Sequence, residues 1–280
     1  MSENTIAITR PSTSVQQSLA ASTGQPVKME SKFPTETIPL PTKGHFYPST
    51  HPLSSGKIEL AQMTAKHEDI LTSTNLLKSG KVLDKLIETL VVDKSISTND
   101  LYICDKNALL IAVRRNAYGD KYGVTITCDS CGKDNKLNLN LADFNETPFD
   151  FSKYTRGENV FEFELPASKR TITYKLITVK EDESIDAEIK SLEKVSSGVT
   201  KEVTTRLKHI LLSVDGNSDK VFIRNFVDNE MLSRDSLALR VYMRENTPVL
   251  DTTFNFVCQS CGDERRESMP IGPNFFWPTS

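Results

Sequence analysis

Cys128-Asp129-Ser130-Cys131-Gly132 returns later in the chain as Cys258-Gln259-Ser260-Cys261-Gly262, 130 residues on. A Cys-x-x-Cys turn fixes two thiolates a short distance apart, and the glycine that follows lets backbone amides turn toward the sulfurs. Two such turns supply the four ligands of a closed tetrahedral site. One pair alone is a weak signal. Two pairs, each fed by a strand-like run and each closed by glycine, point to a structural zinc ion held by Cys128, Cys131, Cys258 and Cys261. Two metal-free turns and a redox dithiol are the alternatives, and the redox reading lacks a strand-to-helix setting around either pair. Sequence leaves open whether both pairs share one metal. A shared ion is the economical arrangement, because two separate sites would need four further ligands.

The likeness continues upstream without a gap. The same offset of 130 pairs Asp105 with Asp235, Ala108 with Ala238, Leu109 with Leu239, Arg114 with Arg244 and Asn116 with Asn246. An apolar helical stretch is thus joined to a knuckle twice. The expected fold is α+β, with internally duplicated helix-plus-zinc-knuckle halves, short β-hairpins and a zinc-ribbon-like site.

Composition narrows the function classes. The 280 residues carry 34 Lys and Arg against 37 Asp and Glu, a net charge of −3, so no field recommends nucleic acid or anionic lipid as a partner. No apolar run approaches the roughly 18 residues of a membrane span. The N-terminus lacks a basic start and an apolar segment, and four of the five cysteines fall in knuckles, so a reducing cytoplasm is expected. The fifth, Cys104, reads as a small buried hydrophobe.

Residues 1–33 are rich in Ser, Thr and Gln and read as a flexible leader. Residues 34–56 are crowded with proline and read as an extended arm turning at Gly44. Its aromatics, Phe46 and Tyr47, either wrap their own domain or dock on a neighbour. Residues 57–145 form a first helical and knuckle half: a strand at 57–63, a helix capped by Thr64 and interrupted at Gly80, then a helix from Asp105 to Arg115. Residues 146–280 form a second half, with a hairpin from 160–165 and 171–179, a charged helix at 181–194 broken at Ser196-Ser197-Gly198, and a helix at 203–212. A short strand or turn at 219–223 and a helix at 229–244 follow, the latter with Leu232, Leu237 and Leu239 as apolar positions. The ending Phe275-Phe276-Trp277-Pro278 is a stiff aromatic hook that packs on this chain or inserts into a partner.

Chemistry beyond the cysteines is thin. His45, His51, His67 and His209 stand in no metal or triad spacing and read as surface residues. Phosphate loops, dinucleotide fingerprints and nucleophile elbows are absent, so no catalytic residue is expected. Arg114 and Arg115 end an apolar helix, where they would snorkel or pair with a carboxylate such as Asp120.

Several segments resemble a known family. Leu40-Pro41-Thr42-Lys43-Gly44-His45-Phe46-Tyr47, Asp105 through Arg115, Tyr118-Gly119-Asp120-Lys121-Tyr122-Gly123 with the first knuckle, and Phe275-Phe276-Trp277-Pro278 are similar, in this order, to the baseplate hub proteins of T-even-type contractile-tailed phages. The resemblance covers the chain from about residue 38 onward. It implies a non-enzymatic structural or assembly component of the tail baseplate hub, working through contacts with other hub or tail proteins. It also implies a place in the virion tail or in the host cytoplasm during assembly. The competing class is a zinc-ribbon nucleic-acid-binding module, which would need Lys133, Lys136, Arg265 and Arg266 to dominate Asp129, Asp134, Asp263 and Glu264.

Overall fold

The proline-rich stretch enters the fold as a strand. In the computed structural model, which describes residues 34–195 and 200–276, β1 (Thr35–Pro39) runs antiparallel to β2 (Lys57–Ala61), with Ile38 opposite Ile58. The leader 1–33, the break at Ser196-Ser197-Gly198 and the terminal Trp277 lie outside the described residues. Between β1 and β2 the chain folds back tightly. Gly44 has φ 70°, and a Cβ there would fall 2.6 Å from the Leu53 carbonyl oxygen, so both conformation and space demand glycine. Leu40, Phe46 and Leu53 are consequently buried.

Helices follow: α1 (Ala65–Thr72), α2 (Thr74–Ser79), α3 (Val82–Leu90) and α4 (Ile103–Tyr118). The Thr64 amide donates to Nδ1 of His67 at 2.9 Å, which draws that ring into the first turn of α1. His67 is therefore buried, and the surface reading fails for it. The first interruption also comes earlier than Gly80, at Ser73 between α1 and α2. β3 (Lys121–Thr127) and β4 (Asp134–Asn140) form the first knuckle hairpin, with Val124 opposite Leu137.

The remainder opens with β5 (Phe161–Glu164) and β6 (Thr171–Tyr174), passes through α5 (Val179–Val195) and α6 (Glu202–Ile210), and adds β7 (Leu211–Val214) to give an antiparallel sheet in the order β5-β6-β7. The helix expected at 203–212 thus stops at Ile210, because Leu211 pairs with Tyr174. The expected strand or turn at 219–223 is instead α7 (Lys220–Asn225), started by the Asp219 side chain accepting the Phe222 amide at 2.8 Å. A π-turn, Phe226–Glu230, leads to α8 (Ser233–Glu245), and β8 (Thr253–Val257) with β9 (Glu264–Ser268) forms the second knuckle hairpin.

Two aspartates repeat one job. Each is the third residue of its helix, Asp105 in α4 and Asp235 in α8, and both are fully buried. Asp105 accepts hydrogen bonds from the Thr42 amide at 3.1 Å, the Thr42 hydroxyl at 2.7 Å and the Tyr47 hydroxyl at 2.8 Å. Asp235 accepts from the amides of Ala167 at 2.7 Å and Ser168 at 3.0 Å. In both cases the gripped turn joins the preceding hairpin and begins with a buried leucine and a proline: Leu40-Pro41-Thr42-Lys43 and Leu165-Pro166-Ala167-Ser168-Lys169. Lys43 and Lys169 share a left-handed backbone, φ 51° and 60°.

The electrostatics of the two differ. Burial lifts the Asp105 carboxyl to about 6, against the opposing pull of Thr42 and Tyr47. Burial also opposes ionisation of Asp235, but there the two backbone amides and Ser168 outweigh it and hold the carboxyl below its usual range.

The C-terminal hook closes over α4. Arg114 is 2% exposed and neither snorkels nor pairs with a carboxylate, since it is Arg115 that meets Asp120, at 2.6 Å. Instead Arg114 Nε donates to the Phe275 carbonyl at 3.0 Å, with its guanidinium 4.8 Å from the Tyr118 ring. Phe275 lies edge-on to Tyr122 at 4.9 Å, and Phe276 is fully buried beside it.

Two outcomes follow. An unfolded aspartate titrates near 3.9, so the stability tied to Asp105 is complete below about pH 4 and is lost as pH rises through about 6. Asp105→Asn cannot titrate. Its melting temperature relative to wild type should therefore climb between pH 4 and 7 in thermal unfolding followed by circular dichroism, and a constant difference would refute the assignment. Phe276→Ala should cost about 3–5 kcal/mol, the usual range for emptying a buried aromatic site, read as an earlier urea midpoint at unchanged m-value.

Candidate metal centre

Each knuckle is the turn of a hairpin, and the two turns are built alike. The Cys128 amide donates to the Lys133 carbonyl at 2.9 Å and the Gly132 amide to the Cys128 carbonyl at 2.7 Å. In the second turn the Cys258 amide donates to the Asp263 carbonyl at 2.8 Å and the Gly262 amide to the Cys258 carbonyl at 2.9 Å. Gly132 and Gly262 have φ 69° and 76°, where a side chain would be strained although space is open around both.

The two turns face each other. Their four sulfurs all lie within 4.8 Å of one another, with Cys128 Sγ 3.7 Å from Cys261 Sγ and Cys131 Sγ 3.7 Å from Cys258 Sγ. A tetrahedron with metal–sulfur bonds of about 2.3 Å has edges of about 3.8 Å, so these spacings suit one thiolate-ligated ion. They are far beyond a disulfide bond of about 2.05 Å. Cys128 and Cys258 are buried, over a small apolar cluster centred on Phe256, while Cys131 and Cys261 face solvent. Among the described residues no other set of three or more His, Cys, Asp or Glu side chains converges in this way.

Two residues four positions beyond the second cysteine of each pair reach across to the opposite knuckle. Asn135, almost completely buried, accepts the Gln259 amide at 2.8 Å and places its own amide nitrogen 3.6 Å from Cys258 Sγ. Arg265 approaches the Thr127 carbonyl and the Asp129 carboxylate, each at 3.3 Å, and its guanidinium lies 4.8 Å from the Phe256 ring. Sequence identity between the two segments at the offset of 130 could not flag this pair. The equivalent positions hold unlike residues, and only their crossed contacts make them correspond.

The thiols influence one another. Burial resists ionisation of Cys258, but the amides of Ser260 and Cys261 and the neighbouring sulfurs outweigh it and bring the thiol down to about 6. The Asp263 amide favours the Cys261 thiolate, yet the hydrogen-bonded Cys258 and burial prevail and push that thiol up to about 12. A compact set of thiols with one ready to ionise is a receptor for a soft or borderline cation.

The other candidate residues fall elsewhere. Phe46, Tyr47, Phe275 and Phe276 are all buried in the chain's own core, so a partner could reach these rings only if that core opened. Tyr47 also accepts the Tyr102 amide at 3.0 Å, completing the Asp105 clamp. Of the basic residues near the knuckles, Arg265 is engaged by Asp129, Asp263 and Glu267, and Arg266 lies 3.7 Å from Asp251. The charge of these two arginines is locally offset, while Lys133 and Lys136 are exposed. No helix among the described residues is long and apolar enough to cross a membrane.

Comparison with known proteins gives one result. No curated protein and no solved structure matches the chain. The family model described as T4 bacteriophage base plate protein matches residues 45–277, a span that begins just after the arm's turn at Gly44 and takes in both knuckles and Phe275-Phe276-Trp277. Over that span the sequence, whose two crossed knuckles bring four cysteines together, belongs to the T4 bacteriophage base plate protein family.

Proposed function

We propose that the chain is a non-enzymatic structural or assembly component of a phage tail baseplate hub, and that one structural zinc ion staples its two halves, residues 57–145 and 146–280, through Cys128, Cys131, Cys258 and Cys261. The convergence of the four sulfurs within 4.8 Å carries the metal reading. The family match carries the baseplate role, and with it a place in the virion tail and contacts with other tail proteins. During assembly the same chain would work in the host cytoplasm.

Duplication accounts for the pairing of parts. α4 and α8 begin 130 residues apart, at Ile103 and Ser233, and the first knuckle strands end at Thr127 and Val257. The buried aspartates, their Leu-Pro turns and the crossed knuckles fit one ancestral unit of hairpin, helices, helix and zinc-ribbon-like knuckle. A shared ion then links turns distant in sequence and restricts the unfolded chain much as a cross-link would. No observation favours the nucleic-acid alternative.

Metal analysis by mass spectrometry on purified protein should find one zinc per chain, and Cys258→Ser should lose it entirely. No zinc in the wild type, or an intact count in the variant, would break the shared-site reading. Asn135→Ala should keep the one-to-one stoichiometry but weaken zinc affinity by about 10- to 100-fold in a chelator competition, the usual effect of removing a partner that orients a ligand. Unchanged affinity would reduce Asn135 to a turn residue.

A further inference from the structure

α8 is exposed at two positions where its counterpart is buried. Ser233, Leu237, Arg240 and Arg244 recur at i, i+4, i+7 and i+11 and so share one face of the helix, opposite Asp235 and Leu239. On α4 the last two of these positions are Leu110 and Arg114, 1% and 2% exposed and covered by the chain itself. On α8 they are Arg240 and Arg244, both exposed, and Leu237, one turn before Arg240, is 55% exposed.

Neither arginine has a carboxylate partner among the described residues. Arg240 makes one contact, from Nε to the Ser236 carbonyl of its own helix at 3.3 Å. Arg115, Arg170, Arg206, Arg265 and Arg266, by contrast, are each paired with carboxylates. Beside this face runs a groove of about 270 Å³ between α6 and α8, lined by Val203, Leu207, Met231, Ser236 and Arg240. Val203 and Leu232 are 41% and 52% exposed. Single surface leucines are ordinary. Several apolar side chains along a groove, with the unpaired Arg240 at its edge and Arg244 farther along the same helix face, mark a docking face.

We propose that the outer face of α8 and the groove beside it dock a segment of another protein that presents an apolar ridge flanked by carboxylates. Guanidinium groups pair with carboxylates in a planar fork, and arginine beside an apolar anchor is a recurrent source of binding energy. A second copy of this chain is a poor occupant through its acidic helix α5, because Asp182 and Asp186 are already held by Arg206 and Glu188 by His209. Nucleic acid fits less well, since the two arginines share their helix face with an exposed leucine and the groove beside it is lined in part by Val203, Leu207 and Met231. The proposal rests on the chain working through protein contacts, but not on the metal, and its variants leave the cysteines untouched.

The test uses the full chain and a fluorescently labelled helical peptide with leucines on one face and glutamates on its flanks. An isomer of the same composition with its leucines spread around the helix, and a single-stranded oligonucleotide, are the competing probes. Fluorescence anisotropy should show the amphipathic peptide binding at least 10-fold tighter than its isomer. Leu237→Ser should weaken it about 10-fold, and Arg240→Glu with Arg244→Glu should remove it. These are surface substitutions, and circular dichroism checks that the variants keep the fold. Equal binding of the two peptides, unchanged affinity in the variants, or tighter binding of the oligonucleotide would overturn the proposal. Self-association in sedimentation that Leu237→Ser abolishes would overturn it too, by giving the face to a second copy. If the metal count fails while this binding holds, the zinc reading falls alone.

Discussion

A buried carboxylate at the third residue of a helix ties α4 and α8 each to the hairpin turn before it. Without Asp105 the turn at Thr42 would leave its amide and hydroxyl without their partner, inside a region where Leu40, Phe46 and Leu53 exclude water. A buried amide left unpaired costs about 1–3 kcal/mol, so the carboxylate and the turn require each other. Asp235 meets the same need for Ala167 and Ser168. Because each aspartate sits at the start of its helix, gripping the hairpin turn also aims the helix, and the knuckle hairpin follows from the helix's far end. The register of hairpin, helix and knuckle is thereby passed along the chain by one buried carboxylate at each helix.

α4 and α8 use that frame differently. α4 is a core helix. It carries Leu109, Leu110 and Ile111 inward, and its buried Arg114 is shielded by aromatic rings and capped by the Phe275 carbonyl rather than matched by a carboxylate. Burial accordingly lowers the affinity of that guanidinium for its proton, although it stays charged. α8 buries only Asp235 and Leu239. Its inward side is completed by Tyr242 stacked on Phe163 at 4.4 Å, while its outer side is left to arginines and a leucine. The C-terminal segment that seals α4 has no described equivalent over α8. That difference in covering, with the frame kept, is what separates an internal layer from a face open to another molecule.

How much of this was legible in the sequence depended on the range of the interaction. The knuckles could be read because a Cys-x-x-Cys-Gly turn is local, and the α+β class because the apolar periods of helix and strand are local as well. That Cys128 would face Cys261 could not be read, nor that Asn135 and Arg265 would cross, since these depend on how two hairpins approach. The Leu-Pro turns stand outside the offset of 130 by a few residues, so an ungapped comparison misses them until the shared grip of Asp105 and Asp235 reveals the match. Errors of element type had two causes, one local and one distant in sequence. The Asp219 side chain turned a short apolar run into a helix, and pairing with Tyr174 turned the end of a helix into a strand. Arg114 misled for a different reason. A guanidinium buried on a backbone carbonyl 161 residues away has no signature in its neighbours.

The knuckle hairpins are the least self-sufficient part of the fold. Of the two strands of the second hairpin only Phe256 is buried, and a two-stranded hairpin with so little apolar cover is marginal by itself. What holds the hairpins against each other is the small cluster of Phe256, Cys128 and Cys258, the crossed contacts of Asn135 and Arg265, and the proposed ion. Of these the ion alone would draw four thiolates together, because without it the ionised Cys258 keeps the neighbouring Cys131 and Cys261 thiols protonated. A metal there would therefore act first on the docking of the two hairpins and only secondarily on the helical core, which has its own buried aspartates and aromatic layers. Local opening should begin at the knuckles while α4 stays protected, since the stability of a region follows the apolar surface it buries.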